Sequence, residues 1–125
     1  MSLESNLQKR TLEYLNSLSF CVAENVSGNA TQSGRADING CIRGRNFRLE
    51  LKVPDNKNKA SKKQEMNLRR WSKAGAVTMV SYSLDFVKLV FTEEGITKSR
   101  LLTTTPYYEE NGCESWVIVP SKEAK

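Results

Sequence analysis

The sequence predicts a mixed α/β (α+β) domain: a central mixed β-sheet flanked by helices, with elements in the order αβββαβ followed by a C-terminal extension. Three observations carry that expectation. Leucines recur at helical spacing near the start of the chain, two strand-like runs meet at Arg43-Gly44, and a capping-box helix leads into an apolar, β-branched run.

Leu3, Leu7, Tyr14, Leu15 and Leu18 fall on one helical face behind Ser2, a residue suited to N-capping, so the first element is an amphipathic helix. Residues 20–26 then read as a strand. SGNATQSG is loop by composition, and residues 36–42 and 45–53 are strand-like runs on either side of Arg43-Gly44, which makes them a hairpin. Ser61 with Gln64 three residues on has the form of a capping box, opening a helix through Met66, Leu68 and Trp71 that ends near Gly75. Residues 76–82 form a buried strand. Ser83 caps a further segment, LDFVKLVFTEEG, that reads as a helix, although residues 86–91 are β-branched and aromatic enough to suit a strand. Beyond Gly95, residues 101–105 and 115–119 are expected to pair as a hairpin across Asn111-Gly112, with SKEAK a frayed tail.

A chain of 125 residues can build one sheet-and-helix core. Hydrophobic residues at 38% and charged residues at 26% suit a soluble globular protein, and no apolar run reaches the length of a membrane span. The opening MSLESNLQKRTLEYL has neither an apolar export region nor a cleavage site, so a cytoplasmic protein is expected. Cys21, Cys41 and Cys113 are odd in number and lack metal-ligand spacing, as reduced thiols would. A net charge of +5 and a pI near 9.2 favour polyanionic partners. The absence of histidine decides more, because it removes histidine bases, Ser-His and Cys-His pairs and the usual zinc sites. Chemistry must come from carboxylates, lysine or metal.

If Arg43 and Gly44 are the central turn residues, Ile42 faces Arg45 and Asp37 lies directly opposite Glu50. Alternation then puts Ala36, Ile38, Ile42, Phe47, Leu49, Leu51 and Val53 on a core face and Asp37, Asn39, Cys41, Arg48, Glu50 and Lys52 on the other. Two carboxylates with Cβ atoms about 5 Å apart repel unless positive charge sits between them. Hard oxygen ligands suit Mg²⁺ or Mn²⁺, completed by water and phosphate oxygens. Lys52, roughly 7 Å further along the same face, could reach a phosphoryl oxygen or orient the attacking water. The competing reading is that this is the solvated side of an antiparallel pair, with Glu-x-Lys an accident.

The order GRADING, LELKVP, SKKQ opening a helix, then AGAVTMVSYS resembles the virus-type replication-repair nuclease (VRR-NUC) domain of the PD-(D/E)xK superfamily, over roughly residues 4–90. The corresponding residues are Glu4 on the first helix, Gly34 with Asp37, Glu50 with Lys52, Ser61 with Gln64, and Gly75. The departure is Ala36, where the family signature has proline before the aspartate, a change in backbone stiffness rather than in ligation. The resemblance implies a restriction-endonuclease-like core over residues 1–95, with residues 96–125 a C-terminal extension of the same domain. It also implies a Mg²⁺- or Mn²⁺-dependent endonuclease that hydrolyses DNA phosphodiesters. Stand-alone relatives resemble Holliday-junction resolvases, which adds the expectation of a homodimer acting on branched DNA, with no membrane and no nucleotide cofactor. The alternative is a catalytically silent nucleic-acid-binding module on the same fold.

By that resemblance Asp37, Glu50 and the Leu51 carbonyl hold the metal, Lys52 supports the water and the developing phosphorane charge, and Gln64 supports the site. Glu4 would hold a metal-bound water or a second metal, although the helix dipole equally explains an acid in a first turn. Gln64 is likewise explained as the glutamine of a capping box. Lys57, Lys59, Lys62, Lys63, Arg69 and Arg70 surround the start of the second helix and could contact phosphates, or form a solvated face. Trp71 could stack on an exposed base, although on a helix with Leu68 it reads as a core or interface residue.

Overall fold

The computed structural model describes residues 3–26, 37–53, 62–96, 108–110 and 113–120. The elements in order are α1 (Leu3–Ser17), β1 (Cys21–Asn25), β2 (Ile38–Ile42), β3 (Arg45–Leu51), α2 (Lys62–Lys73), β4 (Val77–Ser81) and α3 (Leu84–Val90). These are followed by β5 (Phe91–Thr92), β6 (Gly95–Ile96), β7 (Tyr108–Glu110) and β8 (Cys113–Ile118). The main sheet has the strand order β1-β2-β3-β4-β8-β7, with β5 and β6 a separate small ribbon. It is a mixed sheet: β3 and β4 are parallel and linked through α2, whereas the other pairs are antiparallel.

The β2–β3 turn sets the register. Arg43 and Gly44 both have positive φ, 47° and 83°, the backbone of a two-residue hairpin turn whose twist matches its strands. Ile42 therefore pairs with Arg45, Asn39 with Arg48 and Ile38 with Leu49, as read from the sequence. Arg43 tolerates the left-handed conformation while its amide donates to the Phe20 carbonyl and its guanidinium to the Glu93 carbonyl.

Alternation sends Ile38, Ile42, Phe47, Leu49 and Leu51 into the main core, where Leu15 and Leu18 of the first helical segment meet Phe86, Val87 and Val90 of α3. Tyr14 ties α1 to the α3 end by donating to the Phe91 carbonyl at 2.7 Å. The opposite face carries a smaller cluster, in which Leu68 of α2 covers Val80 and Tyr82 with Trp116 against them. Because helices lie on both faces, every residue of β4 is buried.

Edge strand β1 is capped by a side chain. Asn16 donates from Nδ2 to the Ala23 carbonyl and accepts the Ala23 amide on Oδ1, so the free rim of the sheet is partly satisfied from α1. Gly40, opposite Phe47, is required by packing: a Cβ there would overlap both the Phe47 ring and the Val22 carbonyl.

After β4 the structure resolves the choice between helix and strand. Ser83 caps α3, its Oγ accepting the Phe86 amide at 3.2 Å, and the extended stretch begins only at Phe91. The C-terminal hairpin differs in register from the expectation. β8 pairs with Tyr108–Glu110 and on its other side with β4, so residues 115–118 complete the main sheet, while residues 101–105 lie outside the described residues. The short separation between Glu110 and Cys113 explains the closer pairing, since a tight connection costs less closure entropy than one spanning ten residues.

Candidate active site

Asp37 sits immediately before β2, one step beyond its last ladder pair, and the register places it across from Glu50. The two acids reach the same point because they occupy the non-core face of adjacent strands. That face is no solvated surface here. Glu50 is 1% exposed and Asp37 6% exposed, in a cleft that α2 helps to close.

Each acid has its own fixing contact. Asp37 Oδ2 accepts the Leu51 amide at 2.8 Å, and the Asp37 carbonyl accepts the Val26 amide at 2.9 Å. Glu50 Oε2 accepts from Gln64 Nε2 at 2.9 Å and lies 3.5 Å from Lys52 Nζ. Glu50 Oε1 is buried and finds no hydrogen-bond partner among the described residues. An orphaned, buried carboxylate oxygen is an energetically costly arrangement that ordinary packing would have filled.

The electrostatics follow from this burial. Desolvation, then the neighbouring Asp37 charge, pushes the Glu50 carboxyl up to about 8, against the opposing pull of Lys52. Burial also raises Asp37, opposed by the Leu51 amide, by a side-chain hydrogen bond with Glu50 and by Lys52. Near neutral pH the acid pair therefore retains a proton, with Lys52 beside it. A divalent cation would relieve both the repulsion and the orphaned oxygen.

Among the described residues no group of three or more Asp, Glu, Cys or His side chains converges. Two carboxylates nonetheless fit a hard cation of the Mg²⁺ or Mn²⁺ type, which takes few protein ligands and completes its shell with water, carbonyl and phosphate oxygens. Among the described residues no cysteine joins the two acids, and the chain has no histidine, so the nitrogen and sulfur donors usual at zinc are not brought to this point.

The other expected residues divide into those near the centre and those apart from it. Gln64, on the first turn of α2, reaches Glu50 directly; Ser61, its capping partner, lies outside the described residues. Lys62 and Lys63 flank Gln64 on the exposed side of α2, and Arg69 and Arg70 are exposed further along it. Arg69 stacks over Trp116, with 5.8 Å from its guanidinium carbon to the ring centroid. Glu4 lies in the first turn of α1, its side chain outside the described residues, as are Lys57 and Lys59. Leu51 contributes its amide to Asp37, and its side chain is core.

Of the places the sequence suggests for Trp71, the core is not the one it occupies. It is 40% exposed, and the Arg48 guanidinium lies over its ring at 3.9 Å from the centroid. Period-two alternation had put Arg48 on the Glu50 face, but only the docking of α2 brings Trp71 to it. Two further oxygens on that face, Asn39 Oδ1 and Thr78 Oγ1, are buried without partners among the described residues, one on each strand beside Arg48. Thr78 is undetectable in sequence, because its place depends on the parallel β3–β4 register. No protein-family model, curated protein or solved structure matches the chain.

Proposed function

We propose that the chain is a divalent-metal-dependent endonuclease that hydrolyses DNA phosphodiester bonds at the Asp37, Glu50 and Lys52 centre. One observation carries the reading: two opposed, buried carboxylates, one with an oxygen unpartnered among the described residues, are held beside Lys52. Burying such a set costs stability that a purely structural role would not need.

Asp37, Glu50 and the Leu51 carbonyl would hold Mg²⁺ or Mn²⁺. In an extended residue the amide and carbonyl leave the strand on the same side, so Leu51, whose amide binds Asp37, offers its carbonyl toward the same acid. The ion supplies neutralisation of phosphate charge and a more acidic bound water. Gln64 fixes the Glu50 carboxylate by its Oε2, leaving Oε1 without a partner among the described residues. Lys52 offsets the acids at rest, and its ammonium is placed to donate to a non-bridging phosphate oxygen as charge grows there. Glu50 must release its proton to act as a ligand, so its raised pKa couples activity to pH.

The family resemblance adds finer readings, a homodimer and a preference for branched DNA; light scattering and a four-way-junction substrate test them. Among the described residues no helix is long and apolar enough to cross a membrane. The test of the main reading is cleavage of plasmid, flap and four-way-junction DNA with Mg²⁺ or Mn²⁺, wild type beside Glu50→Ala. Cleavage by the wild type alone is expected; no cleavage by intact wild-type protein on any of these DNAs overturns it.

The exposed cationic residues of α2 favour a second reading, a silent nucleic-acid-binding module. Calorimetry separates the two, since the module would bind DNA in a salt-sensitive way and take up no divalent cation.

A further inference from the structure

We propose that Arg48 and Trp71 form a stacking subsite for an unpaired base next to the phosphodiester cut at the Asp37 and Glu50 centre. The inference rests on the nuclease reading above and adds a substrate class to it: DNA with a single-stranded stretch beside the scissile bond.

The geometry comes from two elements running in opposite directions. On β3, Arg48 and Glu50 share a face two residues apart, roughly 7 Å along the strand. On α2, Gln64 and Trp71 are seven residues apart, about two turns and 10 Å along the axis, and so share a helical face. Gln64 meets Glu50 at one end and Trp71 meets Arg48 at the other. Carboxylate centre and indole thus mark the two ends of the α2–β3 contact, a separation that a base and its flanking phosphate can span.

The chemistry of the far end suits a nucleobase. Leu68, between Gln64 and Trp71 on the same helix, is fully buried, whereas the indole stays 40% exposed. Arg48 is held in place rather than free to follow solvent: Nη1 donates to Asn46 Oδ1 at 2.6 Å and to the Phe47 carbonyl at 3.0 Å. A guanidinium anchored over an exposed indole presents a cationic, aromatic surface, which favours a planar ligand with an anionic backbone. Exposed Arg70 and Lys73 on the last turns of α2 add positive charge along that backbone. In a duplex the faces of the bases are already covered by their neighbours, so only an unpaired base can use such a surface.

The test uses the full chain carrying Trp116→Phe, so that Trp71 is the only tryptophan, without divalent ions so that nothing is cut. An oligothymidylate strand should quench Trp71 emission, and a blunt duplex of equal length should leave it unchanged. By anisotropy of labelled single strands, Trp71→Ala should weaken binding about tenfold, while Trp71→Phe retains most of the affinity. Unchanged affinity in Trp71→Ala, saturable binding without quenching, or equal quenching by the duplex overturns the subsite. Cleavage with Mg²⁺ is read separately on the same DNAs: quenching without cleavage supports the subsite and overturns the nuclease reading, and cleavage without quenching does the reverse.

Discussion

Glu50 concentrates the chemistry of this chain in a single carboxyl. Its pKa is raised from 4.5 to about 8, so the folded chain holds that proton more tightly than the unfolded chain does. The sign follows directly: stability from this group is greatest below about pH 4.5 and declines as pH rises toward 8, because ionising it inside the fold is unfavourable. Thermal unfolding without divalent ions should therefore fall across that window. Glu50→Gln should flatten the profile and be more stable than wild type at its upper end, on the order of a few kcal/mol, while abolishing cleavage. A wild-type midpoint insensitive to pH in this range would contradict the buried acid pair. Lys52→Ala should reduce cleavage by about 10²–10³-fold, as expected when a preorganised donor to developing charge is removed. Gln64→Ala, which frees Glu50 Oε2, should cost roughly 10-fold or more with substrate affinity little changed. Steady-state kinetics on one oligonucleotide substrate separate the two effects.

At the scale of elements, the hairpin β2–β3 sets the distance between the acids, and its two glycines do different work. Gly44 supplies the positive φ of the turn, and a Cβ there meets open space, so Gly44→Ala should cost only the conformational strain, about 1 kcal/mol. Gly40→Ala meets the Phe47 ring and the β1 backbone, which cannot yield together, and should cost about 3 kcal/mol or more. Chemical denaturation of the two variants beside wild type checks the ranking, and equal costs would refute this account of Gly40. Helix α2 contributes differently, since it brings Gln64 and Trp71 to β3 and supplies the cover that makes Glu50 a buried acid rather than a surface one.

For the whole molecule, the sheet is continuous from the N-terminal edge to the C-terminal strand. β8 pairs with β4, Val117 is core, and the Ser115 hydroxyl accepts the Tyr82 amide at 3.0 Å. A chain ending at residue 96 would expose the edge of β4 and should fail to give a cooperative unfolding transition by circular dichroism. A stable, cooperatively folded truncation would show that β8 is dispensable. Metal linkage is also a property of the whole fold: ions that bind only the ionised pair stabilise by mass action and compete with protons. Mg²⁺ or Mn²⁺ should raise the melting temperature more near pH 8 than near pH 5, and Glu50→Gln should lose that increment.

The mixed sheet flanked by helices was legible because local signals agreed with one another: strand-like runs on either side of Arg43-Gly44, an N-cap serine before Leu84, and helical leucine spacing in α1. The position of Asp37 opposite Glu50 was legible for the same reason, since a two-residue turn and a period of two leave little freedom in register. Burial was not legible, because alternation says only which face a side chain occupies, and the Glu50 face is closed by α2 from elsewhere in the chain. The Trp71 contact with Arg48, the orphaned oxygens at Glu50 and Thr78, and the place of β8 beside β4 arise from packing between distant segments. Sequence by itself determined which residues form the hairpin and its acid pair; tertiary structure decided that the pair is buried, because only the docked helix covers that face of the hairpin.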